Sequence, residues 1–252
     1  MAAFWTRVKV DFFICGTQKG GTTALDAYLR QQPGIEMARR KEAHFFDEES
    51  HFLGDTVDYS AYHAFFDMDP QCQLRGEATP IYMYWDRAPA RIKAYNPAAK
   101  IIVLLRNPIE RAHSHWNMAR SRGRETLSFR AAIHAEPERL ARIAPRQHRV
   151  HSYVDRGRYS RQLQRLWDVF GREQVAVLAS DALKCAPQAT LDTIRGFLGL
   201  EGSIAVEPLT AHAIPYGSRM EDDDRRLLQA LFEDEIRTLE RLLDWDCSHW
   251  LA

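Results

Sequence analysis

The chain is poor in lysine and cysteine, has no long apolar run, and carries no net charge. Of its 34 basic residues only six are lysine, and 34 acids cancel them to a formal net charge of zero. The four cysteines, Cys15, Cys72, Cys185 and Cys247, are scattered. With no CxxC pair and no metal-ligand spacing they exclude a disulfide framework or a zinc ribbon, and they read as reduced thiols of a cytoplasmic protein. No segment approaches the ~20 apolar residues that span a bilayer. The opening MAAFWTRVKVDFFICG has Asp11 inside its apolar run and no small-residue cleavage site, so it reads as a strand and not as a signal peptide. No self-similarity at a period of about 20–50 residues is present, which excludes solenoids and propellers. The preference for arginine over lysine, 28 to 6, suits a bacterial, GC-rich origin.

What is present fits one α/β domain over residues 1–252, since 45% hydrophobic and 27% charged residues bury a sizeable core and exclude wholesale disorder. The zero net charge is a sum of unlike parts. Between Arg106 and Arg165 lie fourteen arginines, no lysine and five acids. Such a local excess points to an anionic ligand. Apolar runs at Val10–Cys15, Lys100–Leu105 and Val175–Leu178 read as strands of a parallel sheet buried on both faces. Helical patterns follow at Thr22–Gln31, Pro108–Ser121, Ser160–Phe170, Leu191–Leu198 and Arg225–Leu243. Strand, loop and helix in alternation predict a central parallel sheet flanked by helices. The stretch 125–154 has weak periodicity and reads as an irregular or partly helical insertion near the ligand site, or equally as a solvated surface segment.

The first strand runs into Gly16-Thr17-Gln18-Lys19-Gly20-Gly21-Thr22-Thr23 and then a helix. A glycine-rich turn entering a helix aims backbone N–H groups at an anion, and the helix dipole favours negative charge there. A Walker A loop places its lysine after the last glycine, whereas Lys19 precedes the glycine pair. The strand KIIVLL ends in Arg106-Asn107-Pro108, with no acid to hold magnesium. Alone, the loop is compatible both with a phosphate cradle and with an ordinary strand–helix turn. Arg106 at a strand's C-terminal end, with Ser114 two helical turns on, supplies a second anion site. The pair suits a nucleotide with phosphate at both ends.

These motifs, with DFFICGTQKGGTTALDAYLRQQP, KEAHFFD, GEATPIYMYWDRAPARIKAYNPAAKIIVLLRNPIERAHSHW and the closing SRMEDDDRRLL…LERLLDWDCSHW, resemble the sulfotransferase family that uses 3′-phosphoadenosine 5′-phosphosulfate (PAPS). The branch resembled is the heparan-sulfate-type, N-deacetylase/N-sulfotransferase-like one, with its bacterial relatives. The resemblance runs from about residue 10 to the C-terminus and is poorest over 125–154. It implies a P-loop-like phosphosulfate-binding loop of Lys19, Gly20, Gly21, Thr22 and Thr23, with Lys19 stabilising the leaving group. It implies that Arg106 and Ser114 hold the 3′-phosphate and that Tyr159 lies near the nucleotide. The family's Lys-Gly-Arg-type loop corresponds to residues 214–219, which lack the lysine, so Ser218 and Arg219 are the cofactor ligands left there. Glu42 matches the catalytic base; Lys41 would help to bind the sulfuryl group or acceptor, and His44 would orient Glu42 or the acceptor. His113 and His115 are reserve bases, although helix surface explains them too. Thr79, Pro80 and Tyr82 match a segment lining the acceptor cleft, and packing would also explain them.

The function implied is sulfuryl transfer from PAPS to a hydroxyl, in preference to an amine, of a glycan, glycolipid or small-molecule natural product. The product nucleotide is adenosine 3′,5′-bisphosphate, no metal is required, and neither nucleic acid nor a membrane span is involved. A P-loop nucleotide kinase and a non-catalytic polyanion-binding module are the rivals. Acceptor identity and oligomeric state stay open at this stage.

Overall fold

The computed structural model describes residues 9–67, 69–144, 147–202, 204–206 and 218–252. They fall into two compact units, one within Met1–Leu105 and Arg165–Ala211, the other within Arg106–Gln164 and His212–Ala252. The strands in chain order are β1 (Phe12–Gly16), β2 (Ile35–Met37), β3 (Leu74–Ala78), β4 (Lys100–Leu105) and β5 (Val175–Ala179). The helices are α1 (Thr22–Leu29), α2 (Ser60–His63), α3 (Ala88–Tyr95), α4 (Pro108–Ser121), α5 (Phe129–Ala141), α6 (Tyr159–Phe170), α7 (Ser180–Cys185), α8 (Pro187–Leu198) and α9 (Asp222–Leu243).

The first unit is built on an all-parallel sheet of order β2-β3-β1-β4-β5. β1, β4 and β5 are the three apolar runs legible in the sequence. β1 is buried along its whole length and β4 everywhere after Lys100, as parallel strands covered on both faces must be. β2 and β3 carry no such run: one has three residues, and the other includes Arg75, Gly76 and Glu77. Pairing to neighbours makes them strands, with Met37 and Phe12 both in register with Gly76. Alternation along β1 then sorts its side chains. Phe12 and Ile14 join Leu25 and Leu29 of α1 and Leu191 and Ile194 of α8 in one core. Phe13 points the other way, edge-on to Phe46 and Tyr95.

In the second unit α4 has the bounds that its sequence predicts, with Asn107 accepting from the Ile109 N–H as N-cap and Pro108 opening the first turn. α5 is a helix inside the stretch whose periodicity is weak. Its buried positions Phe129, Ala132, Ile133 and Glu136 do follow helical spacing, but the fourth is an acid. Glu136 accepts from the N–H groups of Val154 (2.8 Å) and Asp155 (2.7 Å), so burial uses its charge and not an apolar side chain. Burial pushes the Glu136 carboxyl up to about 7. α9 begins at Asp222, earlier than the apolar pattern that starts at Arg225, because Asp222, Asp223 and Asp224 suit the positive end of the helix dipole.

Gly76 is the tightest point of the sheet. A Cβ there would sit 2.1 Å from Phe12 Cζ and 2.7 Å from Met37 Sδ. Gly76→Ala is expected to destabilise the protein by about 1–3 kcal/mol through overpacking, read as a lower urea midpoint with unchanged slope.

Candidate active site

The loop after β1 is held to the sheet by its backbone. Thr17 N–H donates to Leu104 O at 3.0 Å, one residue beyond the last paired residue of β1, and Gly20 N–H donates back to Thr17 O at 2.8 Å. Gly20 leaves no room for a side chain, since a Cβ would lie 2.8 Å from Leu104 O. Lys19 has φ 70° and Gly21 φ 94°. For lysine that left-handed conformation costs roughly 1 kcal/mol, and such strain persists where a fold over-determines it, commonly at functional sites. The turn leads into the start of α1, with no acid in the helix's first turn to compete for its N–H groups. Thr22 is buried and Thr23 exposed. A glycine-rich turn entering a helix start with no acid in its first turn is the arrangement that favours an anion.

A second strained turn carries the candidate base. Glu42 and His44 have φ 61° and 55°, and Glu42 N–H closes onto Ala78 O at the end of β3 at 3.0 Å. Lys41 Nζ lies 3.1 Å from Glu42 Oε1, and His44 Nε2 3.4 Å from Glu42 Oε2. The other ring nitrogen of His44 bonds Asp47 Oδ2 at 3.0 Å, and the Asp47 side chain is fully buried. Hydrogen bonds to Asp47 and then to Glu42 hold the His44 imidazole up at about 9. Burial pushes Glu42 up, but the His44 hydrogen bond and the Lys41 charge outweigh it and hold the carboxyl at about 2. At neutral pH His44 therefore carries a proton on each nitrogen and Glu42 is ionised.

Beneath this turn lies a polar cluster that sequence reasoning missed. Glu77 is fully buried and accepts from Tyr62 Oη at 2.6 Å and from Thr79 Oγ1. Tyr82 also hydrogen-bonds it, and the Tyr82 hydroxyl oxygen accepts from Phe45 N–H (3.0 Å) and Phe46 N–H (3.3 Å). Burial pushes the Glu77 carboxyl up to about 7, against the hydrogen bonds. Thr79 and Tyr82 are fully buried, in keeping with the packing alternative: Tyr82 holds the backbone of the turn at Phe45 and Phe46, and Thr79 bonds Glu77. Asp47 lay within the quoted KEAHFFD motif. Its spacing of three from His44 was the signal available; Glu77 gave none, because a single acid in a short polar strand reads as surface.

The second unit holds the other candidates. Arg106 immediately follows β4 in the chain and is partly exposed. The Tyr159 hydroxyl donates to its carbonyl at 3.0 Å, and Tyr159 is fully buried, so this tyrosine acts on the Arg106 backbone. Ser114 is 1% exposed, and its Oγ has no hydrogen-bond partner among the described residues. A buried hydroxyl of this kind is costly unless something pairs with it. His113 and His115 are not helix surface: both are buried, His113 against Trp116 and Phe129 and His115 against Tyr153. Ser218 and Arg219 are exposed, while residues 214–217 of the same expected loop lie outside the described residues. The arginine excess is also less free than its count suggests. Arg139 pairs with Glu125, Arg130 with Asp224 and Arg161 with Asp155, and Arg111 and Arg156 are buried donors to backbone carbonyls.

The all-parallel sheet, whose first strand opens into a glycine-rich turn and a helix, defines an α/β fold. The chain belongs to the sulfotransferase domain family, whose model matches residues 9–214. It is 30% identical over 188 residues to mouse heparan sulfate glucosamine 3-O-sulfotransferase 3A1, covering 75% of this chain and 45% of that protein. Over 215 residues it is 28% identical to the bifunctional heparan sulfate N-deacetylase/N-sulfotransferase 1 of Xenopus laevis, covering 79% of this chain and 24% of the relative. The chain thus spans less than half the length of these curated relatives. A solved sulfotransferase from Alicyclobacillus acidocaldarius superposes with a TM-score of 0.84 at 32% identity, covering 97% of this chain and all of that one. A mouse sulfotransferase complexed with PAP has a TM-score of 0.57 at 15% identity, covering 96% and 88% of the two chains, a likeness of fold alone. Among the described residues no helix is long and apolar enough to cross a membrane, and no cluster of His, Cys, Asp or Glu is suited to a metal ion.

Two measurements check this electrostatic picture. Glu77 keeps its proton in the folded state up to about pH 7 but loses it near 4.5 when unfolded, so its contribution is complete below 4.5 and fades as pH rises through 7. Glu77→Gln should remove on the order of 2–3 kcal/mol of the stability lost between pH 4.5 and 7.5 in urea titrations; an unchanged slope would place the charge elsewhere. For His44, NMR titration of the ring should give a midpoint near 9 in the wild type, and Asp47→Asn should lower it toward the ordinary 6.5.

Proposed function

We propose that the protein transfers the sulfuryl group of PAPS to an acceptor hydroxyl, in preference to an amine, releasing adenosine 3′,5′-bisphosphate. The observation that carries the mechanism is the geometry of the second turn. His44 bridges Glu42 Oε2 at 3.4 Å and Asp47 Oδ2 at 3.0 Å, so both of its ring nitrogens are engaged, and the proton of the acceptor is assigned to Glu42. As that proton leaves, the acceptor oxygen bonds to sulfur and the bond from sulfur to the bridging phosphate oxygen breaks. The electron pair would stay on the departing phosphate, where Lys19 and the N–H groups of Gly21, Thr22 and Thr23 would disperse the charge, Gly20 shaping the turn through its bond to Thr17 O. Lys41 assists by holding the sulfuryl group or acceptor beside Glu42, and His44 keeps the carboxylate oriented.

The residues fit the nucleotide at both ends. The start of α1 offers N–H groups without a competing acid, which suits the 5′-phosphosulfate. In the second unit Arg106 supplies a cation and Ser114 a buried, unpartnered hydroxyl, which suits the 3′-phosphate. Tyr159 sets the backbone of Arg106, and Ser218 and Arg219 add polar groups after the expected Lys-Gly-Arg-type loop. The relatives named for heparan sulfate favour a glycan among the acceptor classes, which also include glycolipids and small natural products. A cytoplasmic, bacterial enzyme acting without a metal is the reading we adopt.

Turnover measured with PAPS and a panel of glycan and small-molecule acceptors tests it. Lys19→Ala and Glu42→Gln should each lower kcat by about 10²–10⁴-fold while the chain stays folded. Wild-type turnover in both variants would overturn the mechanism, and ATP turnover that needs magnesium, with no response to PAPS, would favour a kinase.

A further inference from the structure

Glu110 and Ser114 lie four residues apart on α4, the spacing that stacks side chains along one helix face, and Arg106 immediately precedes the helix N-cap. Two of the three are the groups read above as ligands of the 3′-phosphate, and the one between them is an acid. Glu110 Oε2 lies 3.9 Å from the Arg106 guanidinium. A carboxylate in that position repels an arriving phosphate and competes with it for Arg106. Its place in the first turn of a helix favours Glu110, because the helix dipole is positive there. That accounts for an acid being tolerated, but not for what else is brought to it.

A second cation reaches Glu110 from the start of α9, 115 residues away in the chain: Arg225 donates to Glu110 Oε1 at 2.7 Å. Arg225 sits beside three acids of its own helix, yet two of them are otherwise engaged. Asp224 pairs with Arg130 at 2.7 Å, and Asp223 pairs with Arg226. His113, one turn from Glu110, feels Glu110, Asp224, Arg225 and Arg106 together, which puts these four charges in one neighbourhood.

We propose that Arg225 is a positioning residue of the nucleotide site: it neutralises Glu110, so that less negative charge opposes a 3′-phosphate at Arg106 and Ser114. The inference rests on the sulfotransferase reading. Glu110 and Arg225 are each about one-third exposed, so water and salt weaken the effect, and a few-fold change in affinity is its proper scale.

Calorimetric titration of the full chain with adenosine 3′,5′-bisphosphate and with 5′-AMP, which lacks the 3′-phosphate, tests it. Arg225→Ala should weaken the bisphosphate about three- to tenfold and leave 5′-AMP within about twofold. Arg225→Lys should retain most of the affinity, and Glu110→Gln added to Arg225→Ala should restore it, because the acid that needed neutralising is gone. Glu110→Gln alone should bind the bisphosphate at least as tightly as wild type, a result readable even if Arg225→Ala does not fold. Wild-type affinity in Arg225→Ala, failure of the double variant to recover, or weaker binding by Glu110→Gln alone would each overturn the inference. A wild-type chain that bound no bisphosphate at all would instead overturn the sulfotransferase reading, and the inference with it.

Discussion

β1 is hydrogen-bonded on both sides, to β3 and to β4, and the shared register sets where the turns at its carboxyl end begin. Thr17 N–H extends the ladder to Leu104 O, which fixes the start of the anion-binding loop, while Glu42 N–H closes onto Ala78 O and ties the base turn to β3. A slip of one residue would exchange the faces of Phe12 and Phe13 and empty both cores at once, so the register is strongly held. Gly76, opposite Phe12, is the residue that lets the strands approach closely enough. Loop and base turn therefore inherit their positions from sheet packing, and not from contacts of their own.

Rigid support matters because both turns are strained. Lys19, Glu42 and His44 all lie in the left-handed region, where an L side chain crowds the backbone. Tyr82 counters that strain from below by holding two backbone N–H groups of the base turn, and Glu77 with Tyr62 and Thr79 surrounds it. The same burial that makes the support rigid keeps Glu77 protonated up to about pH 7. In the turn that bonds Ala78 at the end of the same strand, Glu42 is held at about 2 because protonated neighbours face it. Two acids on one sheet end thus differ in charge at pH 6 for reasons of environment alone.

Charge in the second unit follows a similar logic. Its arginines are numerous, but most answer to particular acids or carbonyls, and the net excess is spread through packing. Arg106 stands out by its place after β4 and by Tyr159 holding its carbonyl, not by belonging to a basic run. Ser114, buried without a partner, is a more specific mark of a ligand than any count of arginines.

The amino-acid sequence by itself determined the apolar strands β1, β4 and β5, the bounds of α4, and the glycine-rich loop, because central parallel strands and capped helices write their burial into consecutive residues. Lys19 and Arg106 could be placed after apolar strands from the sequence, whereas Glu42 was singled out only by the family motif. β2, β3 and α5 were not legible, since each relies on partners distant in the chain: Gly76 pairs with Phe12 and Met37, and Glu136 is buried only because Val154 and Asp155 present N–H groups to it. Tertiary structure alone decided that Tyr82 bonds the turn at Phe45 and Phe46, that His113 and His115 are buried, and that Arg225 answers Glu110. Local pattern reports how one element meets its surroundings on average. Which charge faces which, across 115 residues of chain, is settled only when the elements are packed.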